Sequence, residues 1–218
     1  TSTRSAILFG ATGAVGKPLL SELLKSPQYD QVHAFVRKPF KNESSYKEEA
    51  KLIEHLLDFE KLLEEGKGVE EIRDVKAEAV YITLGTTRAN AGSAEAFERI
   101  DREYVLAAAK AALHPDQQQN QKVLYCSSFG VSAKSPFLYP KSKGLTEEGL
   151  ASLGYSDTIL FRPGFLAQAN RAQSRKVEQI YGFVTHNILS HVWNDAEIKV
   201  AVLAKAFRVA GENGSSGL

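Results

Sequence analysis

The chain has one cysteine, no methionine and almost no net charge in its 218 residues. The single cysteine, Cys126, excludes an internal disulfide framework, suits a reducing compartment and is expected to be a buried structural thiol. No apolar run reaches the roughly 20 residues that a membrane-spanning helix needs. Because 27 Lys and Arg residues face 26 Asp and Glu residues, the net charge of +1 gives no general attraction to nucleic acid or acidic membranes. Histidines at ligand spacing are also lacking, so no metal site is expected.

The remaining composition is typical of one folded domain. A hydrophobic fraction of 43% predicts a single domain over residues 1–218 with a sizeable core. Within it, residues 167–195 are predicted to form a short lid over a substrate site, and residues 212–218 a flexible tail. The first residues lead straight into an apolar run, so no targeting segment is expected.

Apolar runs typical of strands alternate along the chain with helix-like patterns. Strands are predicted at 6–9, 32–36, 79–84, 123–126 and 158–161, and helices at about 14–26, 94–113, 142–153 and 196–210. Residues 43–73 favour helix by propensity, but the spacing leaves room for a third strand at 51–57, ending at Asp58. The alternation predicts an α/β fold, a Rossmann-like doubly wound parallel sheet with a small C-terminal substrate lid.

Glycines spaced three apart, Gly10, Gly13 and Gly16, follow the first predicted strand and precede a helix-like pattern. Strand, glycine turn and helix in this order direct backbone N–H groups and a positive helix end at a phosphate, as in dinucleotide-binding proteins. A strand-to-helix turn without a ligand is the alternative. The phosphate loop of ATPases is excluded, because Ala11 stands where it needs glycine and Pro18 where it needs Ser or Thr.

The second predicted strand ends in two cations, Arg37 and Lys38. In dinucleotide-binding folds an acidic residue at this place usually holds the ribose 2′-hydroxyl. A guanidinium there can instead bind the 2′-phosphate of NADP through paired hydrogen bonds. The two cations therefore favour NADP(H) over NAD(H) as the cofactor, and a solvated basic loop is the alternative.

Hydroxyl groups and a Tyr–Lys pair follow the strand predicted at 123–126. Ser127 and Ser128 end that strand, and Tyr139 precedes Lys143 by four residues, which places both on one face of a helix. The Lys143 ammonium would stabilise the Tyr139 phenolate, so that this tyrosine can donate or accept a proton. A serine hydroxyl would orient a substrate carbonyl while hydride passes between a nicotinamide and the carbonyl carbon. These four residues are the predicted catalytic set.

Eight segments between residues 6 and 166 carry a resemblance to known proteins. They are GATGAVGKPLLSELL (10–24), VRKPF (36–40), LDFEKL (57–62), LGTTRANAG (84–92), IDREYVLAAAK (100–110), CSSFG (126–130), LYPKSKG (138–144) and FRPGFL (161–166). In these segments the chain resembles the atypical branch of the short-chain dehydrogenase/reductase superfamily. More narrowly, it resembles the Tat-interacting protein (oxidoreductase) family and its fungal relatives of the mitochondrial outer membrane.

The resemblance implies a role in NADP(H) binding for residues of most of these segments. They are Gly10, Thr12, Gly13, Ala14, Val15 and Gly16 in the turn at the pyrophosphate, Arg37 and Lys38 at the 2′-phosphate, Asp58 and Phe59 at the adenine, Leu84 and Gly85 with the following Thr86 behind the adenosine, Tyr139 and Lys143 at the nicotinamide ribose, and Pro163, Leu166 and Arg175 at the nicotinamide end. As alternatives, Leu84 and Leu166 are plain core residues, and Asp58 is a helix N-cap.

One position departs from the wider superfamily. Asp101 stands where its catalytic tetrad often has Asn. An ionised carboxylate cannot donate a hydrogen bond, so a proton relay through this residue would be altered. Asp101 is expected to pair instead with a neighbouring arginine, Arg99 or Arg102.

These features predict an NADP(H)-binding oxidoreductase of the short-chain type that transfers hydride to or from a small carbonyl or alcohol substrate, with Tyr139 as proton donor or acceptor. The alternative is an NADPH-sensing regulatory or adaptor protein with little turnover and a regulatory protein partner. No nucleic-acid partner and no transmembrane segment are expected. The predicted location is the cytoplasm, and the resemblance alone suggests peripheral attachment to the mitochondrial outer membrane.

Overall fold

The computed structural model of the protein describes residues 3–40, 50–167 and 197–214. Its main sheet contains the strands Ser5–Phe9 (β1), Gln31–Val36 (β2), Leu52–Leu56 (β3), Ala79–Ile82 (β4), Lys122–Cys126 (β5) and Asp157–Phe161 (β6). All pair in parallel, in the spatial order β3-β2-β1-β4-β5-β6. The chain reverses direction across the sheet between β1 and β4, which creates the switch point where open α/β folds bind ligands. The predicted doubly wound parallel sheet is confirmed.

The inner strands are apolar because helices cover both faces of the sheet. Every residue of β1 and of β4 is buried, as expected of strands in the middle of a parallel sheet. Strand β3 lies at the sheet edge, where Glu54 is exposed. The strand predicted against propensity at 51–57 is therefore present, in the place where a polar sequence costs least.

Helices follow most of the strands. The described helices are Gly16–Lys25 (α1), Phe59–Glu65 (α2), Val69–Asp74 (α3), Arg88–Ala91 (α4), Ala94–Glu98 (α5), Tyr104–Ala112 (α6), Leu138–Ala151 (α7) and Val200–Asn213 (α8). A π-helical turn at Arg99–Glu103 separates α5 from α6. The helix predicted over 94–113 is thus interrupted, because the wider turn adds a residue to the regular helical repeat.

Two hydrophobic cores lie on opposite faces of the sheet, since alternate residues of β1 point into different cores. Leu8 belongs to the core that contains Leu20 of α1 and Phe207 of α8. Phe9 belongs to the other core, which contains Val105 of α6. The carboxyl ends of the strands lie between these two cores, and the candidate site is formed there.

The C-terminal part differs in detail from the prediction. Residues 197–199 form a strand, Glu197–Lys199 (β8), which pairs in parallel with Phe165–Ala167 (β7). Helix α8 then continues to Asn213, because the Glu212 carboxylate accepts hydrogen bonds from Ser26 Oγ and from Arg208 Nη1 at 2.8 Å. Residues 212 and 213 of the predicted tail therefore belong to this helix. Residues 215–218, and residues 168–195 of the predicted lid, lie outside the described residues.

Two histidines in neighbouring strands contact each other beside the sheet edge. His33 Nδ1 lies 2.9 Å from His55 Nε2, and His55 Nδ1 lies 2.7 Å from Glu71 Oε1. Burial, and then the neighbouring His55, lower the pKa of His33 from 6.5 to about 4. His33 is therefore neutral in the folded protein at neutral pH.

We predict that the free energy of unfolding decreases as the pH falls from 6.5 toward 4. Between these pH values His33 binds a proton in the unfolded chain but not in the folded protein. This difference contributes up to about 3 kcal/mol to the free energy of unfolding, which is fully present above pH 6.5 and is lost as the pH falls toward 4. A His33→Gln variant should lack this part of the pH dependence. Urea unfolding of both proteins across the window measures the difference, and parallel pH dependences would contradict the prediction.

Candidate functional site

The glycine turn, residues 10–16, joins β1 to α1 at the switch point. Gly10 has φ +88°, and a Cβ there would lie 2.8 Å from the carbonyl carbon of Thr83. A Cβ at Gly16 would lie 2.0 Å from the Gly10 carbonyl oxygen. The Thr83 hydroxyl, placed within reach of the Phe9 and Gly10 carbonyl oxygens at 3.1 and 3.2 Å, fixes the turn from the side of β4. The first and third glycines are therefore required by close packing.

The amino end of α1 presents backbone to the surface. Thr12, Gly13 and Ala14 are exposed, while Val15 is buried. Helix α1 begins with no side-chain cap at Val15 and with no acidic residue in its first turn. The partial positive charge of this helix end is thus directed at a surface of exposed backbone, which is the arrangement that binds phosphate groups.

A cavity of about 480 Å³ opens at the carboxyl ends of β2 and β3, and β2 pairs with the strand that leads into this turn. It is called the adenosine groove below, and its lining residues are Arg37, Leu56, Leu57, Asp58, Phe59, Glu60, Ile100 and Tyr104. The structure thus brings three predicted cofactor residues, Arg37, Asp58 and Phe59, together in one groove. Ile100 and Tyr104 were missed, because apolar residues at helical spacing are indistinguishable from core residues in the sequence.

The cations and the acidic residue of the adenosine groove have different surroundings. Arg37 and Lys38 are exposed, and neither forms an ion pair with any residue in the described part of the chain. Asp58 caps α2, since its Oδ1 accepts hydrogen bonds from the N–H groups of Glu60 at 3.0 Å and Lys61 at 3.2 Å. The N-cap alternative for Asp58 is confirmed. This capping role does not remove Asp58 from the groove wall.

The Phe59 side chain belongs mainly to the core. It is 3% exposed, and its ring stacks on Tyr104 with a centroid distance of 5.8 Å. Tyr104 in turn donates a hydrogen bond to Glu60, which also pairs with Arg99. These two partners lower the pKa of Glu60 to about 2, the Arg99 hydrogen bond being the larger cause. The groove wall is therefore held by a stacked aromatic pair and by this charged network.

Lys143 is buried beside the carboxyl end of β5, on the other side of β1 from the adenosine groove. Its Nζ donates a hydrogen bond to Tyr125 Oη at 2.7 Å, lies 3.2 Å from Asp101 Oδ1, and is 3.5 Å from the Cys126 carbonyl oxygen. It also lies 4.7 Å from the centre of the Tyr125 ring. We call these four residues the Lys143 cluster. The ammonium thus has two hydrogen-bond acceptors, Tyr125 Oη and the Cys126 carbonyl oxygen, and one ion-pair partner, Asp101.

The pKa values in the Lys143 cluster follow from burial and from the ammonium. Burial alone would lower the pKa of Lys143, but Tyr125 and Asp101 outweigh it and raise that pKa. Burial is the chief cause that raises the pKa of Tyr125 and of Asp101, and Lys143 opposes it in both. Burial of the sulfur also raises the pKa of the Cys126 thiol to about 11, although the residue as a whole is half-buried rather than buried as predicted.

The prediction that Asp101 pairs with Arg99 or Arg102 is wrong. Arg99 pairs with Glu60 and Glu64, and Arg102 pairs with Glu98 at 2.8 Å. Asp101 is 0% exposed and turns inward to Lys143 instead. The reason is that the π-helical turn places residue 101 on the buried side, while both arginines stay at the surface edge of the same turn.

The predicted catalytic residues lie at the end of β5 and on α7. Ser127 is buried, and its Oγ has no hydrogen-bond partner among the described residues. Ser128 is half-buried directly after it. Helix α7 begins at Leu138, earlier than predicted, so Tyr139 and Lys143 lie one turn apart on the same helix. Tyr139 is half-buried, and its ring lies 5.9 Å from that of Phe97.

The remaining predicted residues follow β4 and β6. Leu84 is half-buried against the core, and Thr86 follows the exposed Gly85. A Cβ at Gly85 would lie 3.4 Å from Asp101 Oδ1 and 3.6 Å from Lys143 Nζ, so this glycine lies directly over the ion pair. Pro163 is buried, and its carbonyl accepts a hydrogen bond from the Phe129 N–H at 2.9 Å.

Two predicted residues belong to the C-terminal part. Leu166 lies in β7. Arg175 lies outside the described residues. In the part of the chain that the structure describes, no three His, Cys, Asp or Glu side chains are grouped to hold a metal ion.

A six-stranded parallel sheet with a close-packed glycine turn at its switch point is the Rossmann-like architecture of NAD(P)-binding proteins. The chain belongs to the NAD(P)H-binding family, since the sequence model of that family matches residues 10–188. The family predicted from the eight segments is thereby confirmed.

Curated relatives support the same assignment. The mitochondrial protein fmp52 of Emericella nidulans is 33% identical over 216 residues, which cover 94% of this chain and 88% of the relative. The mitochondrial protein FMP52 of Candida albicans is 37% identical over 170 residues, covering 74% and 67%. Rat HTATIP2 is 34% identical over 177 residues, covering 80% and 67%. Within the described residues, no helix has the length and apolar character to cross a membrane.

Solved structures show the same fold. The KRED1-Pglu enzyme has a TM-score of 0.74 at 15% identity, with 97% of this chain and 96% of that chain covered. A short-chain dehydrogenase from Burkholderia cenocepacia in complex with NADP has a TM-score of 0.65 at 18% identity, covering 98% and 86%. Bordetella bronchiseptica WbmH in complex with NAD+ has a TM-score of 0.66 at 14% identity, covering 98% and 73%. At these identities the likeness concerns the fold alone.

We predict that Gly16→Ala destabilises the protein far more than Gly13→Ala. The new methyl group would meet the Gly10 carbonyl oxygen at 2.0 Å in the first variant and at 3.3 Å in the second. The first overlap requires backbone movement, with an expected loss of about 2–3 kcal/mol, whereas the second should cost less than about 1 kcal/mol. Urea unfolding measures both, and equal stabilities would show that α1 does not need the close approach.

Proposed function

We propose that the protein is an NADP(H)-dependent oxidoreductase that transfers hydride to or from a carbonyl or alcohol substrate. One observation carries this proposal: the adenosine groove, the glycine turn and the Lys143 cluster follow one another along the carboxyl ends of β2, β1 and β5. Strands β2 and β5 are three strand spacings apart, about 14 Å. An extended dinucleotide across the switch point would connect the three parts.

The residues present fit such a cofactor. The cradle between Gly10 and Gly16 exists only because both lack a side chain. The uncapped end of α1 offers backbone N–H groups to a pyrophosphate. At the opposite end, the buried Ser127 Oγ, which has no hydrogen-bond partner among the described residues, offers a hydroxyl group to a ligand atom. Thr12, Gly13, Ala14 and Val15 would hold the pyrophosphate.

The choice of NADP(H) over NAD(H) rests on charge. The end of β2 carries Arg37 and Lys38, both exposed, and no acidic residue. Of the two carboxylates on the groove wall, Asp58 is engaged at the start of α2 and Glu60 pairs with Arg99. A guanidinium at this place favours a 2′-phosphate, which it can bind through two parallel hydrogen bonds.

The chemistry at the other end is divided among three kinds of residue. Bound NADP(H) supplies or accepts the hydride. The hydroxyl of Ser127 or Ser128 orients the substrate oxygen, and Tyr139 Oη gives a proton to that oxygen or takes one from it. The Lys143 ammonium, one helical turn away, stabilises negative charge on Tyr139 Oη.

A second candidate function is an NADPH-sensing regulatory or adaptor protein. It is favoured by the contacts that the Lys143 ammonium already makes with Tyr125, Cys126 and Asp101, because these groups compete with a ribose or a phenolate for it. Cofactor binding without turnover on any carbonyl or alcohol would select this function.

The mitochondrial names of the fungal relatives support a peripheral mitochondrial location as the alternative to the cytoplasm.

Replacing Arg37 by Ala is expected to weaken NADPH binding by about tenfold to a hundredfold, because a charge-assisted contact to the 2′-phosphate is lost. NADH binding should change less than about threefold, since NADH lacks that phosphate. Calorimetric titration of both proteins with both cofactors measures this. Arg4→Ala, which removes a cation bonded to Glu78 at the opposite end of the strands, is the matched control. Equal losses for NADPH and NADH would refute the role of Arg37.

A Tyr139→Phe variant should lose at least about a hundredfold in turnover, because the proton donor of the proposed reaction is gone. NADPH affinity should stay within about threefold of the wild-type value, since the ring and its contact with Phe97 are kept. A panel of carbonyl substrates with NADPH, followed by absorbance, measures turnover. Unchanged turnover would exclude Tyr139 as the proton donor.

A further inference from the structure

The Asp101–Lys143 ion pair is closed to solvent on both sides. The Asp101 side chain is 0% exposed and the Lys143 side chain is 5% exposed. The Asp101 carboxylate faces the Lys143 ammonium and the backbone of Thr86. Other acceptors of the ammonium, Tyr125 Oη and the Cys126 carbonyl, are neutral groups. Asp101 is therefore the charge that balances Lys143.

Only a glycine separates the ion pair from the face of the site. Gly85 is exposed, and its missing side chain would lie within 3.4–3.6 Å of both charged groups. The pair thus lies just below the surface at the end of β4, next to the end of β5 where the hydroxyl groups stand. Charges in this position are not screened by water, so that their sum acts on whatever binds there.

The two forms of a nicotinamide cofactor differ in charge at one place. The oxidised ring carries a positive charge and the reduced ring is neutral, while the phosphates, riboses and adenine are identical. An unbalanced ammonium below the ring would therefore oppose the oxidised form and leave the reduced form unaffected. A balanced ion pair would discriminate much less.

We propose that Asp101, by cancelling the charge of Lys143 beneath Gly85, sets the relative affinity of the site for oxidised and reduced cofactor and keeps the oxidised form bindable. Asp101 is thus a specificity-determining residue that acts through Lys143. This inference rests on the proposed function, because it requires that NADP(H) binds with its nicotinamide end near Lys143. It explains why a carboxylate occupies this position, since Asn would leave the ammonium unbalanced.

The test is the ratio of the dissociation constants of NADP+ and NADPH, measured by calorimetry on the full chain at neutral pH. In Asp101→Asn the ratio should rise about tenfold, because the Lys143 ammonium, still hydrogen-bonded to Tyr125 Oη and the Cys126 carbonyl, is left under the ring without a counter-charge. Asp101→Leu removes the same charge without adding an amide and should give the same rise. It serves as the test if Asp101→Asn folds poorly. A merely structural role would change both constants in parallel.

Lys143→Met provides the background that separates charge from structure. Without the ammonium, the buried Asp101 carboxyl group takes up a proton, so the pair is again neutral and the ratio should stay near the wild-type value. Adding Asp101→Asn to Lys143→Met should then leave the ratio unchanged. Glu64→Gln is the control, since it removes the same charge from a carboxylate whose side chain is 57% exposed, and its ratio should match the wild type.

The outcomes separate the two proposals. A rise confined to the Asp101 variants that retain Lys143 supports the inference. A constant ratio, with both cofactors still bound, overturns the role of Asp101 and leaves the proposed function standing. If the wild-type chain binds neither NADP+ nor NADPH, the proposed function fails, and the inference fails with it.

Discussion

The close approach of α1 to the end of β1 is the contact on which the rest of the site depends. It is possible only because Gly10 and Gly16 have no side chains, so that backbone meets backbone. This contact seats the apolar face of α1, including Leu20, on one core and leaves the positive helix end at the switch point. Parts of the site to either side, the adenosine groove and the Lys143 cluster, are placed by the same sheet.

The two ends of the site use charge in opposite ways. Arg37 and Lys38 are surrounded by solvent, so their attraction for a phosphate is strong at short range and weakened by salt. Lys143 and Asp101 are buried, where the cost of desolvation is offset by the ion pair itself. One end is therefore suited to capturing a multiply charged group, and the other to holding a fixed balance of charge around a reacting centre.

Much of the fold and part of the site could be predicted from the sequence, because their signals are local. The strand alternation and the glycine turn lie within short segments, and β3 was recovered from spacing although its residues favour helix. The contacts of Lys143 with Tyr125 and Asp101 join residues from three elements. No pattern along the chain predicts these contacts. Neighbourhood in the sequence predicts Arg99 or Arg102 as the partner of Asp101, but the π-helical turn directs this carboxylate to Lys143. Ile100 and Tyr104 were missed because groove and core residues are equally apolar.

The π-helical turn at Arg99–Glu103 has a consequence for protein engineering. Its consecutive residues Ile100 and Asp101 serve opposite ends of the site, one lining the adenosine groove and the other facing Lys143. Their Cα atoms are one peptide apart, about 3.8 Å. Attempts to change the cofactor preference by enlarging or shrinking residue 100 will therefore also displace the carboxylate at residue 101. Redesign of the groove is safer at Leu56, which is exposed on an edge strand and shares no backbone with the ion pair.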